Sequence, residues 1–344
     1  MLPEDGAGQK AEPLPAWPGL GADGAVQEVP MRVLALVMLI LSTPAAALTF
    51  VSVGTGEVAG GYFAAVRAIC ERVNLVDRAS LRCSPESTAG SIYNLSALRD
   101  GQLDIAMAQS DWQRHAWDGT AVFAARGKMP ALRSVMSLHA EPLTLLVRRD
   151  AGVRGFHDLR GRRVDLGHPS SGRRATLGVL LRAYGMTPEA FGATVELQTG
   201  AAIAELCAGR IDATLLIVGH PNASVARAMR DCAVTIAPIT GPEAEGLVGD
   251  GSVYSSLTIP AASYPELAED VRSFGVSATL VTLAAMPDAI VEAFVRETLT
   301  GLAPLARRAP VLEGLDPEAM RSRGLSAPLH PGAARAFEAF LAGR

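Results

Sequence analysis

The chain reads as an α/β protein built from two similar lobes, and three features lead to that reading. A strand, a small-residue loop and a helix follow one another near Val51 and again near Val164. A second matched pair, ALRDGQLDIAMAQS (97–110) and ELCAGRIDATLLIVGH (205–220), runs from a helix end through a turn glycine to an Asp-bearing apolar strand. The spacings agree, with 113 residues from Gly54 to Gly167 and 108 from Gly101 to Gly209. Third, the apolar positions alternate between helical and strand periods, the mark of α/β lobes with mostly parallel sheets. Ligands of such sheets lie beyond the carboxyl ends of the strands, so two facing lobes enclose a cleft.

The first segment does not belong to either lobe. Residues 1–30 are Pro/Gly-rich and acidic, and read either as a mis-assigned start preceding Met31 or as a disordered stretch. Met31-Arg32 followed by VLALVMLILSTPAAA reads as a secretory signal peptide over 31–47, with cleavage after Ala47. Its apolar core, Val33 to Leu41, is shorter than the ~20 residues a membrane span needs. The expected mature chain carries 29 basic and 30 acidic side chains, a balance that gives nucleic acid no bulk attraction. A periplasmic protein is expected. The four cysteines suit an oxidising compartment: Cys70 and Cys83 are close in sequence, as are Cys207 and Cys232. Each couple reads as a local disulfide, with buried free thiols as the alternative, above all for the second.

The lobes follow in order. Strands are expected at Phe50–Val53, Asp104–Ala108, Leu143–Val147, Val164–Leu166, Ala213–Val218 and Val276–Leu283. Tyr62, Val66, Ile69, Cys70 and Val73 recur at helical spacing, as do Leu177, Leu180, Leu181 and Tyr184. The extended run at Glu141 leaves the first lobe, and the Gly-rich stretch 246–254 closes the second. Lobe I is therefore expected over 48–140 and 255–344, and lobe II over 141–254. Two crossings make a hinge that can close around a ligand. The tail, Glu292–Arg308 and Ala333–Leu341, reads as amphipathic helix docked on lobe I.

The loops carry the chemistry. GTGEVAGG (54–61) has G-x-G, but Ala59 stands where a dinucleotide fingerprint needs its third glycine. GHPSSGRR (167–174) has G-x-x-x-x-G without the Lys and Ser/Thr of a phosphate loop. No cofactor is expected. Both loops deliver backbone N–H groups and hydroxyls to a helix start, where a carboxylate is stabilised by unpaired amides and the helix dipole. Ser170 and Ser171 are candidates for that role, with simple helix capping as the alternative. SPESTAGS (84–91) is a third such loop, offering Ser87 and Thr88 to a ligand or to the helix start. AQSD (108–111) leaves Gln109, Ser110 and Asp111 at a sheet edge, and the repeat places His220 opposite them. No G-x-S-x-G elbow or H-E-x-x-H zinc motif occurs. Binding without catalysis is the better account, and no metal ligand set is expected; an enzyme would need a pair such as Asp111 with His220.

At GTGEVAGGYF, RCSPESTAGSIYNLSALRDGQLDIAMAQSDWQRHAWDGT, EPLTLLVRRD, DLRGRRVDLGHPSSGRRAT, GHPN, SYPELAEDV and APLHPGA the chain resembles the TAXI family. These are the solute-binding subunits of tripartite ATP-independent periplasmic (TRAP) transporters. The resemblance spans the mature chain and implies a bilobal periplasmic-binding-protein fold of the type II-like kind. It implies a receptor that passes a small acid (acidic amino acid, dicarboxylate or keto acid) to a cation-coupled membrane permease. Carried onto this chain, ligand contacts are expected from Gly54, Thr55, Ser87, Thr88, Gln109, Ser110, Ser170, Ser171, Gly172 and Thr176, with Tyr62 and Tyr264 walling the pocket. The loops depart from the family pattern at Glu57, Ala89 and Ser170. A sensory receptor feeding a membrane kinase or chemoreceptor is the alternative function.

Overall fold

The computed structural model describes residues 48–343 apart from 59, 77–80 and 250. The expected signal peptide and the segment before it lie outside the described residues. The chain runs β1 (Thr49–Gly54), α1 (Gly61–Val76), β2 (Leu81–Glu86), α2 (Ser91–Arg99), β3 (Ile105–Gln109) and α3 (Ser110–Asp118), then the long strand β4 (Leu132–Arg148). The second half repeats the order with β5 (Arg163–Asp165), α4 (Gly172–Ala183), β6 (Ala193–Val195), α5 (Thr199–Cys207), β7 (Ala213–Ile217) and α6 (Ala223–Asp231). There follow β8 (Val234–Ala237), α7 (Pro242–Glu245), β9 (Ser255–Ile259) and the second long strand, β10 (Val271–Leu283). The chain ends in α8 (Asp288–Thr300), α9 (Leu302–Arg308), α10 (Pro317–Ser322) and α11 (Pro331–Ala342).

The repeat read from the sequence is thus a βαβαβα unit used twice. In each unit the first strand lies between the other two and pairs with both in parallel: β2-β1-β3 and β6-β5-β7. The turn glycines of the echo, Gly101 and Gly209, take φ of 70° and 73°, a region open to glycine without a Cβ penalty. β3 and β7 are buried at every residue, which explains their continuous apolar reading.

The sheets are less parallel than expected. β10 adds antiparallel to β3, and β4 adds antiparallel to β7, β8 and β10. The cause is topological: the two crossing strands must run against the repeats they join. Beyond the β4 pairing, β10 also pairs with β9. Residues 255–274 accordingly sit with the second half, not with the first as expected. Ile259, Tyr264 and Val271 pack with Leu146, Leu216 and Val225, and Phe274 packs with Leu143 and Leu215. The Gly-rich stretch suggested an end to the lobe, but the apolar faces of β9 and β10 need the second core to be buried.

The tail helices lie on the first half. Phe294, Val295, Leu299, Leu305 and Phe337 share a core with Val51, Val53, Ile105 and Met107. Both cysteine couples are disulfides, Cys70–Cys83 joining α1 to β2 and Cys207–Cys232 joining the ends of α5 and α6. Among the described residues no helix is long and apolar enough to cross a membrane.

One glycine fits the crossing so closely that it tests the arrangement. A Cβ on Gly275 would lie 2.2 Å from the Glu141 carbonyl oxygen and 2.7 Å from Leu257 Cδ1. Gly275→Ala is expected to lower stability by about 1–3 kcal/mol, the usual cost of overpacking, as a drop in the urea midpoint.

Candidate functional site

A cavity of about 100 Å³ lies between the two halves. The first half contributes Gly56, Glu57 and Gly60, Gly61 and Tyr62 at the start of α1, Ala89 to Ser91 at the start of α2, Gln109 and Glu141. The second contributes Ser171 to Arg173, Thr199, Ile217, Val218, Asn222 and Ser224. Five helices, α1, α2, α4, α5 and α6, therefore begin at this one space. Each helix start leaves amides without intrahelical partners and a partial positive charge, so their convergence favours negative charge.

Cross-cleft contacts hold the halves together around it. The Glu57 carboxyl group accepts from the backbone N–H of Thr199 at 2.6 Å and of Gly200 at 3.2 Å. Trp112 Nε1 donates to the Gly172 carbonyl and to Thr176 Oγ1, both at 3.1 Å. Asp111 Oδ2 accepts from Thr176 Oγ1 at 3.0 Å and from Tyr254 OH at 3.1 Å. Gln109 packs on Gly172 so tightly that a Cβ there would fall 2.0 Å from Gln109 Oε1.

Three side chains give the cavity its polarity. Tyr62 OH donates to Glu141 Oε2 at 2.6 Å. Burial, and then the Glu141 charge, push the Tyr62 phenol well above its ordinary value, so it stays a donor. Glu141 is buried, with His139 Nε2 3.7 Å from its other oxygen. Gln109 Oε1 is buried without a hydrogen-bond partner among the described residues. Among the described residues Arg173 is the one basic side chain lining the cavity, but its guanidinium is committed within its own half. It donates to Asp165 Oδ2 at 2.6 Å, to Thr214 Oγ1, and to the Leu215 and Leu197 carbonyls. An anion here would be held by amides and helix ends, not by a free cation.

Of the residues expected at the ligand, Tyr62, Gln109, Ser171 and Gly172 line the cavity. Ser171 also caps α4, its Oγ accepting from Arg174 N–H at 3.2 Å and donating to the His168 carbonyl at 2.7 Å. The others stand behind the wall. Gly54 lets Asn94 and Leu103 approach, since a Cβ would meet Leu103 Cδ1 at 2.4 Å. Thr55 Oγ1 donates to the Glu86 carbonyl at 2.7 Å, Ser87 Oγ to that of Gly56, and Thr88 Oγ1 to Asn94 Oδ1. These hydroxyls tie the first and third loops to each other. Ser170 is outside the lining, its N–H donating to His168 Nδ1. Ser110 turns the other way, accepting from Ser277 N–H at 3.0 Å. Thr176 serves the Asp111 contact already described.

His220 and Tyr264 need a fuller correction. The repeat expected His220 opposite AQSD, but its ring sits between Thr144 Oγ1 at 2.9 Å and Tyr264 OH at 2.5 Å. Burial, with a smaller push from His139, lowers its pKa to about 4, so it is neutral at pH 7. Neutral imidazole donates once and accepts once, which fits Tyr264 OH donating to Nδ1 and Nε2–H donating to Thr144. Tyr264 OH also accepts from Asn222 N–H at 2.8 Å, at the cap of α6. Both residues brace the α6 start that borders the cavity. Asp111 and His220 belong to separate networks, so the acid/base pair an enzyme would need is not formed by them.

Glu141, Arg173, Thr199 and Asn222 were not among the residues expected at the ligand. Glu141 had a signal, being the lone charge in the apolar run 134–147. Thr199 had none, because only the fold brings the start of α5 to Glu57.

Asp111 yields a pH test. Its pKa is raised to about 7, with burial outweighing the hydrogen bonds from Trp112, Thr176 and Tyr254. A carboxyl raised in the folded state stabilises below its unfolded pKa and loses that contribution as pH rises. The stability of the native protein relative to Asp111→Asn should therefore fall between about pH 4 and pH 7, by up to a few kcal/mol, in urea titrations at stepped pH.

A family model described as the NMT1-like family matches residues 53–339. A structure from Bordetella bronchiseptica RB50 has a TM-score of 0.55 at 16% identity, covering 85% of this chain and 98% of that one. MatC from Rhodopseudomonas palustris, solved with bound malate, has a TM-score of 0.53 at 16% identity, covering 85% and 97%. The periplasmic aliphatic sulphonate binding protein SsuA from Escherichia coli scores 0.45 at 15% identity, covering 77% and 81%. The mixed α/β architecture, a central sheet flanked by helices, is shared with the Bordetella structure and with MatC.

Proposed function

The chain belongs to the NMT1-like family, and on that footing we propose that it is an extracytoplasmic solute receptor, not an enzyme. The observation that carries this reading is the cavity between the halves, where five helix starts meet a buried, unpartnered Gln109 Oε1. Amides and helix dipoles there suit a carboxylate, while Gln109 Oε1 and Glu141 are acceptors suited to a hydroxyl or ammonium group on the same ligand. The ligand class is a small carboxylate-bearing solute, of the kind found among amino acids, dicarboxylates and keto acids. The malate bound to MatC is of this class. The resemblance to TAXI subunits adds the partner: a TRAP permease receiving the solute from the closed cleft in the periplasm.

The reading is tested by thermal denaturation of the chain from residue 48 with a panel of such acids. Stabilisation should grow as RT ln(1 + [L]/Kd), reaching about 2.7 kcal/mol at a hundredfold excess over Kd. An unmoved melting temperature across the whole panel would remove direct solute binding. For an acid that does bind, Gln109→Leu is expected to raise Kd by about threefold to tenfold, the worth of one hydrogen bond, by titration calorimetry.

A further inference from the structure

The loop between β1 and α1 places a carboxyl group of the protein inside its own binding space. Glu57 comes from the first half, yet it accepts from the first two amides of α5 on the second half. That helix start lacks a cap of its own, because the preceding Gln198 makes no side-chain capping bond. Both Glu57 and Thr199 line the cavity, so the pairing forms part of its wall. The amides of α5 are what a second anionic group on a ligand would seek, and they are already taken. What remains is the backbone of Gly172 and Arg173 at the α4 start, beside Gln109 Oε1, which has no hydrogen-bond partner among the described residues, and the Glu141 carboxyl group. The remaining volume, about 100 Å³, is below the ~150 Å³ of a cavity that holds one benzene.

We propose that Glu57 is a specificity-determining residue: its side chain stands in for the distal carboxylate of a dicarboxylic ligand and restricts the cleft to small monocarboxylates bearing a donor group. This rests on the receptor reading above and narrows its ligand class. Two properties act together. The carboxyl group fills the space beside α5, and its charge repels a second anion that approaches the same amides. A solute with one carboxylate and a hydroxyl or ammonium group meets neither obstacle. It can place its carboxylate at the α4 start and its donor against Gln109 and Glu141. The Glu57 contact also spans the cleft, so the two halves are bridged whether or not a solute reaches α5.

Matched acids that differ by one distal carboxylate give the test: lactate against malate, and alanine against aspartate. Binding of all four is measured by titration calorimetry on the chain from residue 48, as the native protein, Glu57→Gln and Glu57→Gly. The native protein should prefer the monocarboxylate of the pair it binds. Glu57→Gly, which frees both space and amides, should shift the ratio of affinities toward the dicarboxylate by about tenfold or more. Glu57→Gln keeps the bulk and an acceptor oxygen but not the charge, and should shift it less. Circular dichroism and urea midpoints confirm that each variant is folded. Folded Glu57→Gly that binds these acids with the native preference overturns the role of Glu57 while leaving the receptor reading intact. A native preference for malate or aspartate overturns it as well. Binding of none of the four by any form, alongside an unmoved melting temperature across the wider panel, removes the receptor reading and the inference together.

Discussion

The pairing of β4 with β10 runs from Leu132 opposite Leu283 to Pro142 opposite Gly275, and everything else in the molecule is placed by it. Past Pro142, β4 continues into the second sheet beside β7 and β8. Before Gly275, β10 pairs with β9. Each long strand is thus shared between the halves, and the backbone hydrogen bonds of their ladder, which shifts register at Ser277/Thr279 and at Leu280/Val281, set how the two repeats approach. A cleft built on such a spine can bend only where the ladder allows. Gly275 against the Glu141 carbonyl marks a tight point of that approach. Glu141 lies on the same segment, so the residue that faces the cavity floor is carried by the strand that joins the halves.

From this follows the electrostatic character of the site. Each repeat directs its helix starts beyond the carboxyl ends of its parallel strands. Facing the repeats across the spine brings five of those starts to one small space. Their dipoles favour negative charge in the space without a free arginine or lysine among the described lining residues. Arg173 is present, but Asp165 and two carbonyls take its hydrogen bonds, and it acts as a brace inside its own half. Glu57 and Glu141 then answer the positive helix ends with side chains of the protein. The site is best described as partly filled by its own carboxyl groups.

The hydroxyls and rings just behind the cavity show how the loops around it are held in shape. Thr55, Ser87 and Thr88 bond to neighbouring loop atoms, tying Thr55 and Gly56 to Glu86 and Ser87 and holding Thr88 on Asn94. His220 and Tyr264 do the same for the α6 start, and burial keeps the imidazole neutral in that role. Motif position alone cannot separate such residues from ligand contacts, since both lie within a few residues of the same helix start. Ser171 does both, lining the cavity and capping α4.

The repeat, the α/β class, the pairing of neighbouring cysteines and most strand centres were legible in the linear chain. The reason is local: side-chain periodicity, turn glycines and short loop closures depend on residues close together in sequence. β4 was legible only in its second half, where Leu143–Val147 is apolar but for Thr144; its first half, with Ser134, Ser137 and His139, hides polar residues that only the fold buries. The return to the first half was misplaced because the glycines of 246–254 mark a turn, whereas the boundary follows from which core covers β9 and the start of β10. Likewise Gln109 and Gly172 could be named from their loops, but not that they touch. Glu57 was visible as an unusual residue in its loop. That its carboxyl group meets the amides of Thr199 and Gly200 was a matter for the tertiary structure, because a contact spanning 142 residues is set by the approach of two sheets and leaves no period in the sequence.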